Sequence, residues 1–158
     1  MHQWRAMLES NEPPGLISKA AIVPEWPRWF NRRWGKVHFH MTQLLSGHGC
    51  FSHFLWKIGK SADPTCHHCG AAEDTSEHTL VHCPAWTGER EELLSDLGVD
   101  DDFTLQIVVA AALETKEKWK AFSKFSSRVM LAKEDAERAR EMNDRDPAAL
   151  NDVVDTAD

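Results

Sequence analysis

The residues of this chain with the clearest chemistry lie in one short segment, which reads CHHCGAAEDTSEHTLVHC from Cys66 to Cys83. Three cysteines and four histidines fall within these eighteen residues. Such side chains can ligate a metal ion, form disulfide bonds, or act as nucleophile and base, and they can also lie in a loop without any role. Their spacing and the rest of the chain have to separate these possibilities.

The spacing of the segment favours a metal ion. Cys66 and Cys69 form a Cys-x2-Cys turn, which directs two thiolates to one point and is the commonest half of a tetrahedral zinc site. His78 and Cys83 can supply the second half. His82 follows His78 by four residues, on the same helical face, and is an alternative to Cys83. Four protein ligands leave no open position, so the sequence predicts a structural Zn²⁺ and not a catalytic one.

A short element that folds back must carry the second pair of ligands. Asp74 and Glu77 fit a capping box, so we expect a helical turn that begins near Thr75 and ends just before Cys83. Zinc would stabilise this loop strongly, because the metal-free loop has almost no core of its own.

Disulfide bonds and thiol catalysis fit the chain less well. No signal peptide is visible in the first ten residues, and the longest apolar run, Ile107–Leu113, is too short to span a bilayer. We therefore expect an intracellular, non-membrane protein with reduced cysteines.

Cys50 is predicted to be a buried free thiol. Its neighbours His48 and His53 lack a nearby carboxylate that would orient them for catalysis.

Apolar residues at helical spacing predict an all-α fold: a small helical domain with an inserted zinc knuckle and a long charged C-terminal helix. Two short helices flank a turn at Gly47, and a third begins at Pro84 and ends at Gly98. A short capped helix precedes a long one from about Glu117 to Met142. Its last part, AKEDAERAREMNDRD, is almost wholly charged and is predicted to be solvated. The predicted apolar positions are Val37, Met41, Leu44, Leu45, Phe51, Phe54, Leu55, Ile58, Trp86, Leu93, Leu94, Leu97, Trp119, Phe122, Val129 and Met130.

These elements divide the chain into five predicted segments. They are a poorly ordered lead-in (1–25), basic Trp-rich helices (26–63), a CCHC zinc knuckle (64–84), C-terminal helices (85–143) and a disordered tail (144–158).

Charge is distributed unevenly along the chain. Residues 1–60 carry eight Lys and Arg against three Asp and Glu, whereas residues 61–158 carry ten against twenty-two. The basic, Trp-rich front half suits an acidic partner such as RNA or DNA, and the acidic back half does not. The candidate nucleic-acid contacts are Arg28, Arg32, Arg33, Lys36, Lys57, Lys60, His67 and His68.

Three segments together resemble the carboxy-terminal region of arthropod non-LTR (LINE-like) retrotransposon reverse transcriptase polyproteins. They are TQLLSGHGCFSHFLWKIGK, CHHCGAAEDTSEHTLVHCPAW and VMLAKEDAERARE, and they agree with that family in order and spacing over about residues 26–142. The resemblance favours Cys83 over His82 as the fourth ligand. It places the family's zinc knuckle on Cys66, Cys69, His78 and Cys83.

The resemblance also implies a function. In that family the endonuclease and reverse transcriptase domains precede this region. Polymerase chemistry needs carboxylates that hold two metal ions, typically between two strands. The acidic cluster nearest to that pattern is Asp100–Asp102, and it is predicted to cap a helix, with no strand before it. We expect no enzymatic activity from the chain itself. We expect instead a zinc-binding, nucleic-acid-binding module, which engages template RNA or target DNA in target-primed reverse transcription, and hence a nuclear location.

The alternative is a zinc-stabilised protein-interaction module, derived from a domesticated or degenerate transposon fragment. The acidic back half favours it, and so does the C-terminal helix, whose apolar positions suit a protein partner. The two interpretations differ in one structural expectation. If the acidic part of that helix covers Arg28–Lys36, the structure favours the protein-interaction interpretation.

Overall fold

A computed structural model describes residues 15–145 of the 158-residue chain. Within that range the fold has seven α-helices and no strand, which confirms the predicted all-α class. A π-helical turn at His78–His82 and two 3₁₀ turns, Val23–Glu25 and Pro84–Trp86, complete it. The helices are α1 Leu16–Ile22, α2 Trp26–Asn31, α3 Phe39–Ser46, α4 Ser52–Lys57, α5 Thr87–Leu97, α6 Leu105–Ala112 and α7 Lys116–Arg145. No helix in the described part of the chain is both long enough and apolar enough to cross a membrane.

The long helix α7 is the element on which the others assemble. It has 30 residues, about 45 Å at 1.5 Å per residue. Helices α3, α5 and α6 all pack against it. Its predicted apolar positions, Trp119, Phe122, Val129 and Met130, are each at most 3% exposed. The predicted C-terminal helix is therefore present, and it forms one side of the core.

The helix pair α3–α4 follows the predicted pattern with small changes at its ends. Met41, Leu44 and Leu45 are buried, but Val37 lies before the helix and is 37% exposed. The His38 side chain caps α3 by accepting a hydrogen bond from the Met41 N–H (3.4 Å). Cys50 is buried as predicted, and burial raises the pKa of its thiol to about 11.

The ends of the remaining helices also follow local chemistry. Gly98 ends α5 with a φ of 66°, a left-handed conformation that favours glycine. Helix α6 is capped by Thr104, whose hydroxyl accepts from the Ile107 N–H (3.3 Å), and not by Asp100–Asp102 as predicted.

Residues near the amino end depart from the predicted lead-in. Residues 16–22 form α1, and Ala21 is only 2% exposed where α1 packs against α3 and α6. The prediction of poor order is therefore wrong for this part of residues 1–25. At the other end α7 continues to Arg145, two residues beyond the predicted segment of C-terminal helices (85–143). The rest of the predicted lead-in (1–14) and tail (146–158) lies outside the described residues.

The charged part of α7 contains two side chains that are not solvated as predicted. Lys133 is 1% exposed, and its ammonium contacts both carboxylate oxygens of Asp74 at 2.8 Å. The next residue, Glu134, accepts from Gln43 (2.9 Å) and lies 3.1 Å from the His40 ring nitrogen. The prediction of a solvated charged end is therefore wrong at these two positions, because each charge has a partner on another element.

Removal of the buried ammonium should destabilise the fold. We expect Lys133→Met to lower the free energy of unfolding by about 3–5 kcal/mol, because Asp74 would stay buried without its charged partner. Urea denaturation at a fixed zinc concentration, followed by circular dichroism, measures this change. Lys120→Met removes an exposed charge from the same helix and should change the value by less than about 0.5 kcal/mol. An effect of Lys133→Met as small as that of the control would contradict the assignment.

Candidate metal centre and basic face

A tight backbone turn positions the first pair of ligands. The Gly70 N–H donates to the Cys66 carbonyl (2.8 Å), and the Cys66 N–H donates to the Ala71 carbonyl (2.8 Å). Gly70 has a φ of 79°, which glycine adopts without strain. The turn thus brings the Cys69 thiol beside Cys66, as the Cys-x2-Cys spacing predicts.

The four predicted ligands converge on one point. One ligand atom from each of Cys66, Cys69, His78 and Cys83 lies within 4.8 Å of the others. The Cys66 and Cys83 sulfurs are 3.9 Å apart, and the Cys69 sulfur is 3.3 Å from His78 Nε2. A zinc–sulfur bond of about 2.3 Å in a tetrahedron gives a sulfur–sulfur edge of about 3.8 Å. The donor types and their spacing therefore fit a metal ion such as zinc.

The second pair of ligands, His78 and Cys83, lies at the start of the π-helical turn and just after its end. The Thr75 hydroxyl caps this turn by accepting from the His78 N–H (3.0 Å), and the Cys83 N–H donates to the His78 carbonyl (2.7 Å). The predicted start near Thr75 is right, but the predicted Asp74–Glu77 capping box is not formed. Cys83 is fully buried within the cluster, whereas His82 is exposed and outside it.

Burial shifts the pKa values of three of the four ligands. It raises the pKa of the Cys83 thiol to about 12 and also raises that of Cys66. Burial likewise lowers the pKa of His78, so its imidazole is neutral near pH 7. Neutral imidazole is the metal-binding form, but the thiols must lose protons to bind. A bound divalent cation would compensate for three thiolates and leave a net charge of about −1.

Arg90 on α5 holds the end of the π turn. Its guanidinium donates to the carbonyls of Leu80 (2.7 Å), Cys83 (2.6 Å) and Thr79 (3.3 Å). Carbonyls at the end of such a turn need a donor from outside it, since the turn ends at Cys83. Sequence reasoning did not identify Arg90, because its position in the first turn of a charged helix gave no signal.

Asp74 joins the zinc loop to the helical core. Besides Lys133, its carboxylate accepts from the Ser52 N–H (3.0 Å) and the Thr79 hydroxyl (3.3 Å). Its backbone carbonyl accepts from the His53 N–H (3.2 Å). The loop is therefore fixed to the start of α4 and to α7 by polar contacts at one residue.

Arg32, one of the predicted nucleic-acid contacts, has a structural role in the fold. Its guanidinium lies over the rings of Trp29 (4.5 Å) and Trp119 (4.7 Å) and donates to the carbonyls of Trp29 and Gly35. Burial lowers its pKa. Gly35 has a φ of 75°, and a Cβ there would lie 2.2 Å from Trp119 Nε1. Arg32 thus joins the segment after α2 to α7, which leaves little of it free for a phosphate.

The other front-half cations near α2 are more accessible. Arg28 is exposed but pairs with Glu25 (2.7 Å) and donates to the Ala110 carbonyl (3.1 Å). Arg33 and Lys36 are exposed in the segment that links α2 to α3. These two side chains are consequently the clearest candidates for contacts with an anionic partner.

The remaining predicted contacts lie on and near the zinc loop. Lys57 and Lys60 are exposed around the end of α4, and His67 is exposed in the Cys-x2-Cys turn. His68 instead packs against the Trp86 ring, with 5.0 Å between ring centroids. Burial lowers the pKa of His68 to about 4. It is therefore neutral near pH 7 and carries no charge that would attract a phosphate.

The acidic part of α7 lies away from Arg28–Lys36. Trp119 contacts Arg32, whereas Glu134 contacts Gln43 on α3. Fifteen helical residues, about 22 Å, separate Trp119 from Glu134. The acidic end therefore does not cover Arg28–Lys36, and the structural expectation that would favour a protein-interaction module is not met.

The described residues thus form a helical module around a Cys₃His cluster, a donor set typical of structural zinc sites. Over 92 residues the chain is 27% identical to the Retrovirus-related Pol polyprotein from type-1 retrotransposable element R1 4 of Nasonia vitripennis. The match covers 58% of this chain but only 23% of that relative's length. No protein-family model and no solved structure matches the chain. The similarity supports a relation to a part of retrotransposon polyproteins.

Loss of the Arg90 guanidinium should destabilise the turn that carries His78 and Cys83. We expect Arg90→Met to lower the free energy of unfolding by about 1–3 kcal/mol, because partly buried carbonyls lose their donor. Chemical denaturation of the zinc-supplemented chain tests this. Arg138→Met, at a position 67% exposed, is the matched control and should have little effect. Equal stability of the two variants would rule out the anchoring role.

Proposed function

We propose that the chain is a zinc-binding module that engages nucleic acid, similar to the tail of a non-LTR retrotransposon reverse transcriptase. The observation that carries the zinc part is the convergence of Cys66, Cys69, His78 and Cys83 at tetrahedral spacing. The relation to a retrotransposon Pol polyprotein supports the nucleic-acid part. The ligand would be template RNA or target DNA during target-primed reverse transcription, and the module would act in the nucleus.

The role of zinc in this proposal is structural. Four protein ligands fill a tetrahedral site and leave no position for a substrate. With a net charge of about −1, and with Glu73 and Glu77 exposed nearby, the knuckle attracts phosphates poorly. The basic segment from α2 to α4 would therefore carry the backbone contacts, and the knuckle would shape the surface beside it.

Catalysis in this proposal belongs to other parts of a longer protein. Asp100–Asp102 lie in the connection between α5 and α6, with no strand beside them in the described residues. Polymerase chemistry needs carboxylates that hold two metal ions together. The polymerase and endonuclease activities that the resemblance implies would therefore be supplied elsewhere in such a polyprotein.

A second candidate function is a zinc-stabilised protein-interaction module. One observation favours it: a groove of about 450 Å³ between α1, the π turn and the start of α6. The apolar side chains that line it include Ile17, Ala20, Leu80, Val81 and Leu105. A groove of this character can accept apolar side chains of a protein partner. Absence of nucleic-acid binding in the experiment below would favour this function.

Zinc should bind to four specific side chains. We expect one zinc per purified chain, loss of that zinc in His78→Ala, and retention in His82→Ala, because His82 lies outside the cluster. Elemental analysis by mass spectrometry, with near-UV circular dichroism before and after a chelator, measures both content and folding. Cys50→Ser replaces the remaining cysteine and should also keep the metal. Zinc loss in His82→Ala but not in His78→Ala would overturn this ligand set.

Charge reversal in the basic segment should weaken binding. We expect Arg33→Glu and Lys36→Glu to lower affinity for single-stranded RNA, because each removes a cation that neutralises a phosphate. The slope of log K against log salt should fall by about 0.7 for each phosphate that is no longer neutralised. A salt titration by fluorescence anisotropy measures both quantities. Arg32 is unsuitable for this test, since its substitution would also disturb Trp29 and Trp119.

The control for this titration is Arg138→Glu, at an exposed cation on the acidic end of α7. Its affinity and salt slope should match those of the unmodified chain. If both basic-segment variants also match it, the nucleic-acid assignment of this segment is wrong.

A further inference from the structure

Two aromatic rings on α2 face away from the core. Trp26 is 54% exposed and Phe30 is 74% exposed, although large aromatic side chains normally bury most of their surface. Their ring centroids are 6.1 Å apart with an interplanar angle of 26°, so the two rings stack on one flank of the helix. Trp29, on the same helix, is instead packed against the core beside Trp119. The outer pair is therefore an aromatic surface that the fold does not use.

A small arginine-rich pocket lies on the other flank of the same helix. Its volume is about 300 Å³, and its lining residues are Arg28, Asn31, Arg32, Arg33, Trp34 and Leu113. The indole Nε1 of Trp34 is buried and has no hydrogen-bond partner. A pocket that combines guanidinium groups and an amide is suited to an oxyanion such as a phosphate.

The arginines differ in how far they are available. Glu25 partly neutralises Arg28, and Arg32 is engaged by the two tryptophan rings. Arg33 is exposed and forms no ion pair within residues 15–145. Arg33 is therefore the side chain most able to contact a phosphate at this pocket.

We propose that α2 and the residues just after it form a binding site for single-stranded nucleic acid. A backbone phosphate occupies the arginine pocket, and an unpaired base stacks on Trp26 and Phe30. The helix with its side chains is about 10–12 Å across, so a short stretch of strand crosses from one flank to the other. This inference rests on the proposed nucleic-acid function and gives that function a site and a ligand form.

The chemistry of the surface favours a single strand over a duplex. Stacking on a side chain requires the face of an unpaired base, which a duplex hides within its own stack. Stacking of this kind accepts any base. The site therefore prefers single strands to duplexes but does not distinguish one base sequence from another. RNA and DNA share the chemistry, and comparison of the two backbones distinguishes them.

The test compares oligomers with and without bases. The full chain, loaded with zinc, is titrated by fluorescence anisotropy with labelled dT12, rU12 and a twelve-unit abasic phosphate backbone. We expect Phe30→Ala to weaken binding of dT12 or rU12 by about fivefold or more and to leave the abasic oligomer unchanged. We expect Arg33→Gln to weaken all three and to lower the salt slope by about 0.7. The tighter of dT12 and rU12 identifies the preferred backbone.

The controls separate this inference from the function on which it rests. Met142→Ala removes another exposed apolar side chain, from α7 and outside the basic segment, and should leave all three affinities unchanged. Phe30 is so exposed that its removal should not unfold the chain, which far-UV circular dichroism verifies. If the unmodified chain binds but Phe30→Ala weakens no oligomer, or weakens all three equally, the site is wrong and the function stands. If the unmodified chain binds none of the oligomers at low salt, both are wrong.

Discussion

The buried ion pair between Lys133 and Asp74 is the interaction on which the position of the candidate metal centre depends. Transfer of two charges from water into the core costs several kcal/mol per ion, so such a pair is tolerated only when its hydrogen bonds are complete. Here the carboxylate accepts from the ammonium, the Ser52 N–H and the Thr79 hydroxyl. The ammonium also lies 5.5 Å from the centre of the Phe51 ring. One residue of the loop is thereby fixed to both α4 and α7.

Because the ion pair already fixes the loop, a bound metal would contribute less to the folding of the loop than in an isolated zinc loop. An isolated zinc loop has almost no core, and its metal supplies nearly all of its folding energy. In this chain Cys66, Leu80 and Cys83 are each at most 1% exposed and belong to the main core. Arg90 and Asp74 add polar contacts from two further sides. A metal at the cluster would thus complete a loop that already has a fixed position, and its effect would extend to α7.

The sequence predicts the local features of this arrangement and misses those that depend on distant partners. Helical periodicity identifies the core positions Leu93, Leu97 and Val129, and the Cys-x2-Cys spacing identifies Cys66 and Cys69 of the candidate metal cluster, because both patterns are local. Lys133 and Asp74 are 59 residues apart, and nothing in either segment indicates that they meet. A lysine in a charged run resembles a solvated side chain, and an aspartate before a helical turn resembles its cap. Both expectations follow from local sequence patterns, but the contact between these two distant residues determines their actual environment.

The same distinction applies within the α2 segment, whose residues have different environments in the fold. From the sequence, Trp26, Trp29 and Arg32 belong to one basic aromatic run with a single character. In the fold, Trp29 and Arg32 face α7 and hold the segment in place, while Trp26 faces outward. An aromatic platform needs such an inner support, because stacking on a mobile ring would cost the entropy of ordering it. In the proposed binding site, the inner side chains would therefore hold the outer rings in place for stacking.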